Sequence, residues 1–356
     1  PADIYKPRTP VAQIWEQVIA DFTAATALPK RSEYSEEDTG RVTSGAAYAM
    51  LGRTYWYNRD FENVYKMLYV LVEGEQKGEY ELDPDFATQW LNPNSNLRES
   101  IFEIQYVTNG KNWDESTGWN GVWFIPSSDG GYGFHLPTQH LLDAFDPEDP
   151  RITWTFVRQG DQFVGNDFVT GDANYPSRFF DRKHFVPMSE TLNAASPVYP
   201  QDVEMTVYVI RYADVLLMYA EACLEKGDIV GARKYLNQVR KRARESSPLD
   251  AKRVIQKYVP DTKPTSLPDI TSDNVAEVRL AIWNERRFEF ACEGIRRMDL
   301  MQQERYGEIM TAVYSNGYAT EDVDKGRYYT KERELFPIPQ NDIDLSRGAL
   351  VQNPGY

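Results

Sequence analysis

Two glutamates four residues apart are the sharpest candidates for acid–base chemistry. Glu285 and Glu289 continue the apolar face of Val278 and Ile282, so one side of a predicted helix carries both carboxyl groups. Paired carboxylic acids perform glycoside hydrolysis. The alternative is structural, because buried acids need cationic partners. We expect ion pairing, with arginines from the adjacent sequence: Arg286, Arg287, Arg296 and Arg297.

An acidic turn before Arg151 is a candidate calcium site. It lacks the D-x-[DN]-x-[DN]-G pattern of a calcium loop, so we expect instead a solvated turn that caps a helix. Its acidic residues are Asp143, Asp146, Glu148 and Asp149.

Signals for nucleophilic catalysis and metal binding are weak. His135 and His140 lie five residues apart across Pro137, which prevents a shared helical face, and His184 is the third histidine. The sequence contains no HExxH zinc motif, G-x-S-x-G elbow, Walker loop or G-x-G-x-x-G fingerprint. We therefore expect no catalytic residues, no metal and no cofactor.

The two cysteines, Cys223 and Cys292, fall in segments with helical character, without CxxC or metal-site spacing. This pattern predicts buried thiols, and it leaves a disulfide between them open.

Aromatic residues give the stronger functional signal. A tryptophan or tyrosine ring offers rigid apolar area to the C–H face of a sugar, while nearby polar side chains can bind the hydroxyl groups. The alternative is that these rings pack loops onto helices, which is the usual fate of tryptophan. For an exposed sugar-binding platform within about 111–180 we nominate Trp113, Trp119, Trp123, Tyr132 and Trp154.

Three helices are predicted in residues 1–80. Apolar residues recur at three- and four-residue spacing over 11–22 and predict the first helix. Thr43 can cap a second helix, whose small side chains around Gly52 should let a partner helix approach. Asp60 opens the third. These features are typical of tetratricopeptide-like hairpins.

The helical pattern returns in the second half of the chain. Residues 212–222 are apolar nearly all round, which predicts a buried helix, and an amphipathic helix follows over 229–243. A further pair is predicted at about 273–291 and 295–312. Because a long segment separates the two helical regions, a regular solenoid is not expected.

The separating segment, residues 81–205, is rich in Gly, Pro, Asn and aromatics, with strand candidates at 101–106 and 152–157. A segment of this length without regular secondary structure is uncommon in a compact domain unless it is functional or folds onto a scaffold. We predict a mostly α single domain over 1–356, with tetratricopeptide-like hairpins and a loop-rich insertion containing short β-strands. Its parts are a helical scaffold at 1–80 and 206–312, a loop-rich ligand-binding layer at 81–205, and a C-terminal extended segment at 313–356.

Composition excludes several classes of protein. The 356 residues include 54 acidic and 39 basic side chains, giving a net charge of −15, with 41% hydrophobic residues. Such a balance argues against binding nucleic acid or anionic lipid through basic patches. No apolar run approaches the length of a membrane-spanning helix. The apolar and aromatic content also argues against wholesale disorder.

A set of ordered motifs resembles the SusD/RagB family of Bacteroidetes outer-membrane nutrient-binding lipoproteins, over essentially the whole chain. Each motif is weak alone, but the order is specific. They are 15–22 (WEQVIADF), 40–48 (GRVTSGAAY), 99–105 (ESIFEIQ), 142–145 (LDAF) with 149–151 (DPR), 211–222 (RYADVLLMYAEA), 236–240 (LNQVR), 285–290 (ERRFEF) with 293–300 (EGIRRMDL), 336–339 (FPIP) and 352–356 (QNPGY).

The resemblance implies a binding protein without catalytic activity. Members of the family capture oligosaccharides, or peptides in some RagB-like members, and cap a SusC-like TonB-dependent transporter at the cell surface. Their tetratricopeptide-like helices face the transporter, and aromatic-bearing loops hold the ligand. An exposed arc of rings would favour sugar, and a deep acidic cleft would favour peptide. A glycoside hydrolase is the remaining alternative.

The chain also departs from the family. Members are usually longer. They carry a lipobox cysteine and a first helical section before the part that this chain resembles. Because the sequence begins at Pro1 without an initiator methionine or signal core, we interpret it as cut from a longer protein. We expect an outer-membrane, cell-surface protein, held only by a lipid anchor absent from this chain.

Overall fold

The computed structural model describes residues 5–91, 94–106, 123–124, 132–158, 161, 179–184, 205–249, 266–315 and 329–356. Their regular structure is mainly helical with a few short strands, as predicted. None of the helices in these ranges is both long and apolar enough to cross a membrane. The helices are α1 (Val11–Ala25), α2 (Ser44–Tyr57), α3 (Phe61–Val72), α4 (Gln139–Leu142), α5 (Ile152–Thr155), α6 (Tyr212–Glu225), α7 (Ile229–Arg244), α8 (Val275–Glu289), α9 (Arg296–Gln302), α10 (Tyr306–Ser315) and α11 (Gln340–Leu345).

Two helical hairpins form the scaffold, α2 with α3 and α6 with α7, and α8 packs against the second. Nearly every residue of α6 is buried, which confirms the prediction from its apolar sequence. Its side chains share one core with those of α2, α3, α7 and α8. Helices that are far apart in the sequence therefore share a single hydrophobic core.

Side-chain caps fix where the scaffold helices begin. The Thr43 hydroxyl accepts a hydrogen bond from the Ala46 N–H at 3.0 Å, and Asp60 caps α3 in the same way. Asp228 and Asn274 cap α7 and α8. Each cap satisfies backbone N–H groups that the first helical turn leaves unpaired, so the predicted starts at Thr43 and Asp60 are confirmed.

Close approach of α2 and α3 depends on Gly52. A Cβ atom at this position would lie 2.2 Å from the Leu68 Cδ2 atom, and the Leu68 side chain is fully buried. The prediction that small residues let the partner helix approach is therefore confirmed.

The first helix follows its predicted sequence period, yet none of its residues is buried. Val11 is 71% exposed and Ile14 is 50% exposed, although α1 contacts α2. Periodicity therefore predicted this helix correctly without showing whether its apolar face is covered.

Two predicted elements are corrected. The strand candidate at 152–157 is the short helix α5 followed by a three-residue strand, β2 (Phe156–Arg158). The single helix predicted at 295–312 is divided into α9 and α10, because Glu304 adopts a left-handed conformation with φ of 57°. The Arg305 N–H then bonds to the Leu300 carbonyl and closes the end of α9.

The loop-rich layer is attached by two antiparallel ladders. Strand β1 (Ser100–Ile104), predicted at 101–106, pairs with β4 (Val207–Arg211), which leads directly into α6. Strand β2 pairs with β3 (Phe179–Asp181), with Phe156 opposite Asp181. Two apolar clusters of this layer, one around Phe156 and Ala291 and one around Trp90 and Trp154, complete the attachment.

Both cysteines are free thiols, so the disulfide left open by the sequence does not form. Cys223 is buried in α6, and burial raises the pKa of its thiol to about 12. Cys292 is half-buried, in a left-handed conformation just after α8.

Candidate functional site

Three exposed aromatic rings form a platform on the loop-rich layer. Trp123 and Tyr132 were nominated from the sequence, and Phe134 joins them. The Trp123 ring centroid lies 5.2 Å from that of Tyr132 and 5.8 Å from that of Phe134. The Tyr132 and Phe134 rings lie 5.9 Å apart and within 17° of parallel. We call these three residues the aromatic platform.

A backbone hydrogen bond connects the two segments that carry the aromatic platform. The Phe134 N–H donates a hydrogen bond of 2.7 Å to the Trp123 carbonyl, which joins two segments of the loop layer. Trp123, Tyr132 and Phe134 are 46%, 57% and 54% exposed. Near-parallel rings with this much free apolar area can bind the flat face of a ligand without first being uncovered.

The prediction for Trp154 is corrected. Its ring is fully buried, and its indole N–H donates to the Ser247 carbonyl at 2.7 Å. The Arg182 guanidinium covers the ring at 5.2 Å from the centroid. Trp154 therefore fixes the loop layer to the scaffold, and it offers no face to a ligand. Trp113 and Trp119 lie outside the described residues.

A cluster of two histidines and one aspartate lies next to the aromatic platform. The Nδ1 atoms of His135 and His184 lie 3.4 Å and 2.6 Å from the same Asp181 oxygen, Oδ2. Burial raises the pKa of Asp181, but the two histidines outweigh this and hold it at about 2. The hydrogen bond to Asp181 in turn raises the pKa of His135.

Sequence reasoning missed this cluster because His135 and Asp181 are 46 residues apart. His140, which stood closer to His135 in the sequence, lies elsewhere and contacts Arg287. Phe124 also contributes, because its ring stacks on His184 at 4.7 Å. No motif marks these positions. Asp181 ends strand β3, His184 follows three residues later, and His135 reaches Asp181 from a distant part of the loop layer.

Glu285 and Glu289 are fully buried and ion-paired, so the structural interpretation is confirmed and the acid–base pair is not supported. The predicted partners, however, are wrong. Glu285 pairs with Arg151 at 2.6 Å and with Arg240 at 2.9 Å. Glu289 also pairs with Arg151, at 2.9 Å. Its further partners are Arg211 and Arg242.

Three of the arginines predicted for this role bind other groups. Arg286 pairs with Asp214 at 2.6 Å and with Asp299 at 2.9 Å. Arg287 donates to the His140 carbonyl, and Arg297 donates to the Glu334 carbonyl. Burial favours the neutral form of Glu289, but the surrounding arginines outweigh it and lower its pKa. A carboxylate held in this charged state, without solvent access, is not poised to donate a proton.

The acidic turn at 143–149 is only partly solvated. Asp146 is near the surface and accepts a hydrogen bond from the Glu148 N–H. Asp149 is buried and holds Arg151 through both carboxylate oxygens. The expectation of a solvated turn is therefore wrong for Asp149, which belongs to the buried ion-pair network.

A groove of about 740 Å³ lies where the scaffold meets residues 81–98 of the loop layer, and the aromatic platform does not line it. Its lining combines cationic and acidic side chains, so its charge is mixed and not predominantly acidic. The charged lining residues are Glu73, Lys77, Glu81, Asp83, Arg98, Lys234, Lys241, Arg242 and Glu245.

Comparison with known proteins identifies the family. The SusD family model matches residues 98–356. A SusD-like protein from Bacteroides ovatus is 24% identical over 96% of this chain, and the chain spans 65% of that relative's length.

Solved structures share the fold. Surface glycan-binding protein A from Bacteroides fluxus superposes with a TM-score of 0.72 at 23% identity, covering 99% of this chain and 73% of that one. Its counterpart from Bacteroides thetaiotaomicron, solved in complex with laminarihexaose, gives 0.68 at 22% identity, with 98% and 72% covered. At these identities the likeness is one of fold. Because the family model covers most of the sequence, the chain belongs to the SusD family.

Proposed function

We propose that this protein binds carbohydrate through the aromatic platform. The observation that carries the proposal is the group of three adjacent rings, each about half exposed, with Phe134 within 18° of parallel to both Trp123 and Tyr132. Burying apolar ring area against the C–H face of a sugar is favourable, and rigid rings lose little conformational entropy on binding. The hydroxyl edges of the sugar stay free for polar groups.

Two further observations support sugar as the ligand. Relatives of the same fold are surface glycan-binding proteins, and one was solved with laminarihexaose. The groove of about 740 Å³ is lined by charges of both signs, unlike the acidic cleft expected of a peptide-binding member. An exposed arc of rings suits an extended glycan, whose rings repeat along the chain.

We further infer that the protein captures its ligand without altering it and passes it to a SusC-like TonB-dependent transporter. Family membership supports this role, together with a lipid-anchored position on the outer surface of the outer membrane. The burial and ion pairing of Glu285 and Glu289 also favour binding over hydrolysis.

Calorimetric titration with a panel of glycans and peptides, beginning with laminarin oligosaccharides, tests the proposal. Trp123→Ala should weaken glycan binding about tenfold or more, since truncating an aromatic anchor costs roughly 2 kcal/mol. Tyr69→Ala is the matched control, because Tyr69 is 44% exposed on the scaffold helix α3. Equal affinity in both variants, or binding of peptides and no glycan, would refute the proposal.

A further inference from the structure

We propose that His135, His184 and Asp181 form a binding site for a divalent transition-metal ion of the zinc class. One ring nitrogen from each histidine and one carboxylate oxygen lie within 4.8 Å of one another. The proposal concerns a second ligand and stands apart from glycan binding.

The distances from the two histidine nitrogens to the Asp181 oxygen lie near those that such an ion requires. A tetrahedral zinc ion with bonds of about 2.0–2.1 Å holds its ligand atoms about 3.4 Å apart. The distance from His135 Nδ1 to Asp181 Oδ2 is already 3.4 Å. The distance from His184 Nδ1 to the same oxygen is 2.6 Å, so it must open by about 1 Å when an ion replaces the hydrogen-bonded proton. Side-chain rotation can supply this movement.

The residues around the cluster orient its ligands. The Lys183 N–H donates to the other Asp181 oxygen, Oδ1, at 2.9 Å, which leaves Oδ2 directed at the histidines. Asp181 is fully buried on β3, opposite Phe156. The Phe124 ring stacks on His184 and contacts the edge of His135. In metal sites a ligating carboxylate is usually hydrogen-bonded by an outer partner, here the Lys183 N–H, and apolar groups surround the ligands.

The backbone at His135 gives independent support. His135 has φ of 60°, a left-handed conformation that non-glycine residues adopt uncommonly. Such conformations persist where the surroundings impose them, and they concentrate at functional sites. Here the conformation turns the imidazole toward Asp181 while the preceding residue, Phe134, takes part in the aromatic platform.

The ligand types decide the class of ion. Two imidazoles and one carboxylate suit zinc and its neighbours, whereas calcium and magnesium prefer oxygen ligands throughout. Three protein ligands leave at least one coordination position for water or another small ligand. The His135 side chain is 43% exposed, which gives an ion a route into the site.

Zinc titration of the EDTA-treated chain by calorimetry, with cobalt absorption as the coordination readout, tests the proposal. The wild type should bind one ion per chain. His135→Asn and His184→Asn should each weaken zinc binding by about tenfold or more. Even the loss of a residue that only hydrogen-bonds to a metal ligand weakens metal affinity by about that factor. Asparagine tolerates the left-handed backbone at position 135.

His140→Asn is the matched control, because His140 lies outside the cluster and contacts Arg287. It should bind zinc like the wild type, and circular dichroism should show that every variant is folded. Failure of the wild type to bind zinc would overturn the proposal, as would equal affinity in the His135→Asn, His184→Asn and His140→Asn variants. Either result would mean that the cluster is a hydrogen-bonded trio without an ion.

Discussion

Replacing Arg151 with leucine tests whether the buried ion-pair network stabilises the attachment of the loop layer to the scaffold. Arg151 is fully buried and donates hydrogen bonds to Asp149, Glu285 and Glu289. Asp149 belongs to the loop layer, whereas the two glutamates project from α8. The guanidinium group therefore joins the two parts of the fold through charge.

The expected loss follows from the charges that Arg151→Leu leaves behind. Among the described residues, the network contains five cations and five carboxylates. Without Arg151, Glu285 keeps Arg240 and Glu289 keeps other arginines, but Asp149 loses the guanidinium that holds both its oxygens. The cations are Arg151, Lys183, Arg211, Arg240 and Arg242, and the carboxylates are Glu99, Asp149, Glu285, Glu289 and Glu293.

Breaking a buried pair by removing one partner costs about 3–5 kcal/mol, because the other charge stays buried. We expect the lower end of this range, since two of the three carboxylates keep arginine partners. Leucine limits any additional loss from an empty cavity.

Urea unfolding followed by tryptophan fluorescence measures this loss. Arg41→Leu is the matched control, because the Arg41–Asp38 pair is exposed and its removal should cost less than about 1 kcal/mol. Adding Asp149→Asn to Arg151→Leu should recover part of the stability, since it removes the uncompensated charge. A loss below about 1 kcal/mol for Arg151→Leu, or no recovery in the double variant, would refute the reasoning.

Two further predictions concern the scaffold. Burial raises the pKa of Asp214, but Arg286 and Arg53 hold it at about 2, below the 3.8 of a free carboxyl group. The stabilisation from the ionised Asp214 is therefore present above about pH 4 and lost as the pH falls toward 2. The free energy of unfolding of the wild type should exceed that of Asp214→Asn by about 2 kcal/mol less at the acid end of this range. An unchanged advantage would contradict the assignment. Gly52→Ala should destabilise the protein by about 1–3 kcal/mol in urea, because its Cβ meets Leu68. Shortening the neighbour with Leu68→Ala should make the two losses less than additive, and strict additivity would argue against the contact.

Local chemistry in the sequence predicted the scaffold well. Helix starts at Thr43 and Asp60 depend on a side chain that bonds to a backbone N–H three residues away, so nearby residues suffice to define them. The apolar sequence of α6 likewise predicted its burial. The prediction from sequence was wrong at α5, where the pattern spans only a few residues. It was also wrong at Glu304, whose left-handed backbone divides the helix predicted over 295–312 into α9 and α10.

Sequence also named two members of the aromatic platform, Trp123 and Tyr132, from residue type and neighbourhood. It could not separate them from Trp154, because a tryptophan in a loop has the same local pattern whether it packs or is exposed. Only the packing of the loop layer against the scaffold buried Trp154 and left the other two rings free.

The sequence by itself determined most of the scaffold helices, the caps at Thr43 and Asp60 and, through ordered motifs, the SusD family. The tertiary structure alone decided which distant charges and rings meet. Arg151 and Glu285 are 134 residues apart, and His135 and Asp181 are 46 apart. Such pairings depend on how the loop layer folds over the scaffold, and no local period or cap encodes that contact. The physical reason is that helix formation is governed within a few residues, whereas burial and ion pairing are properties of the assembled core.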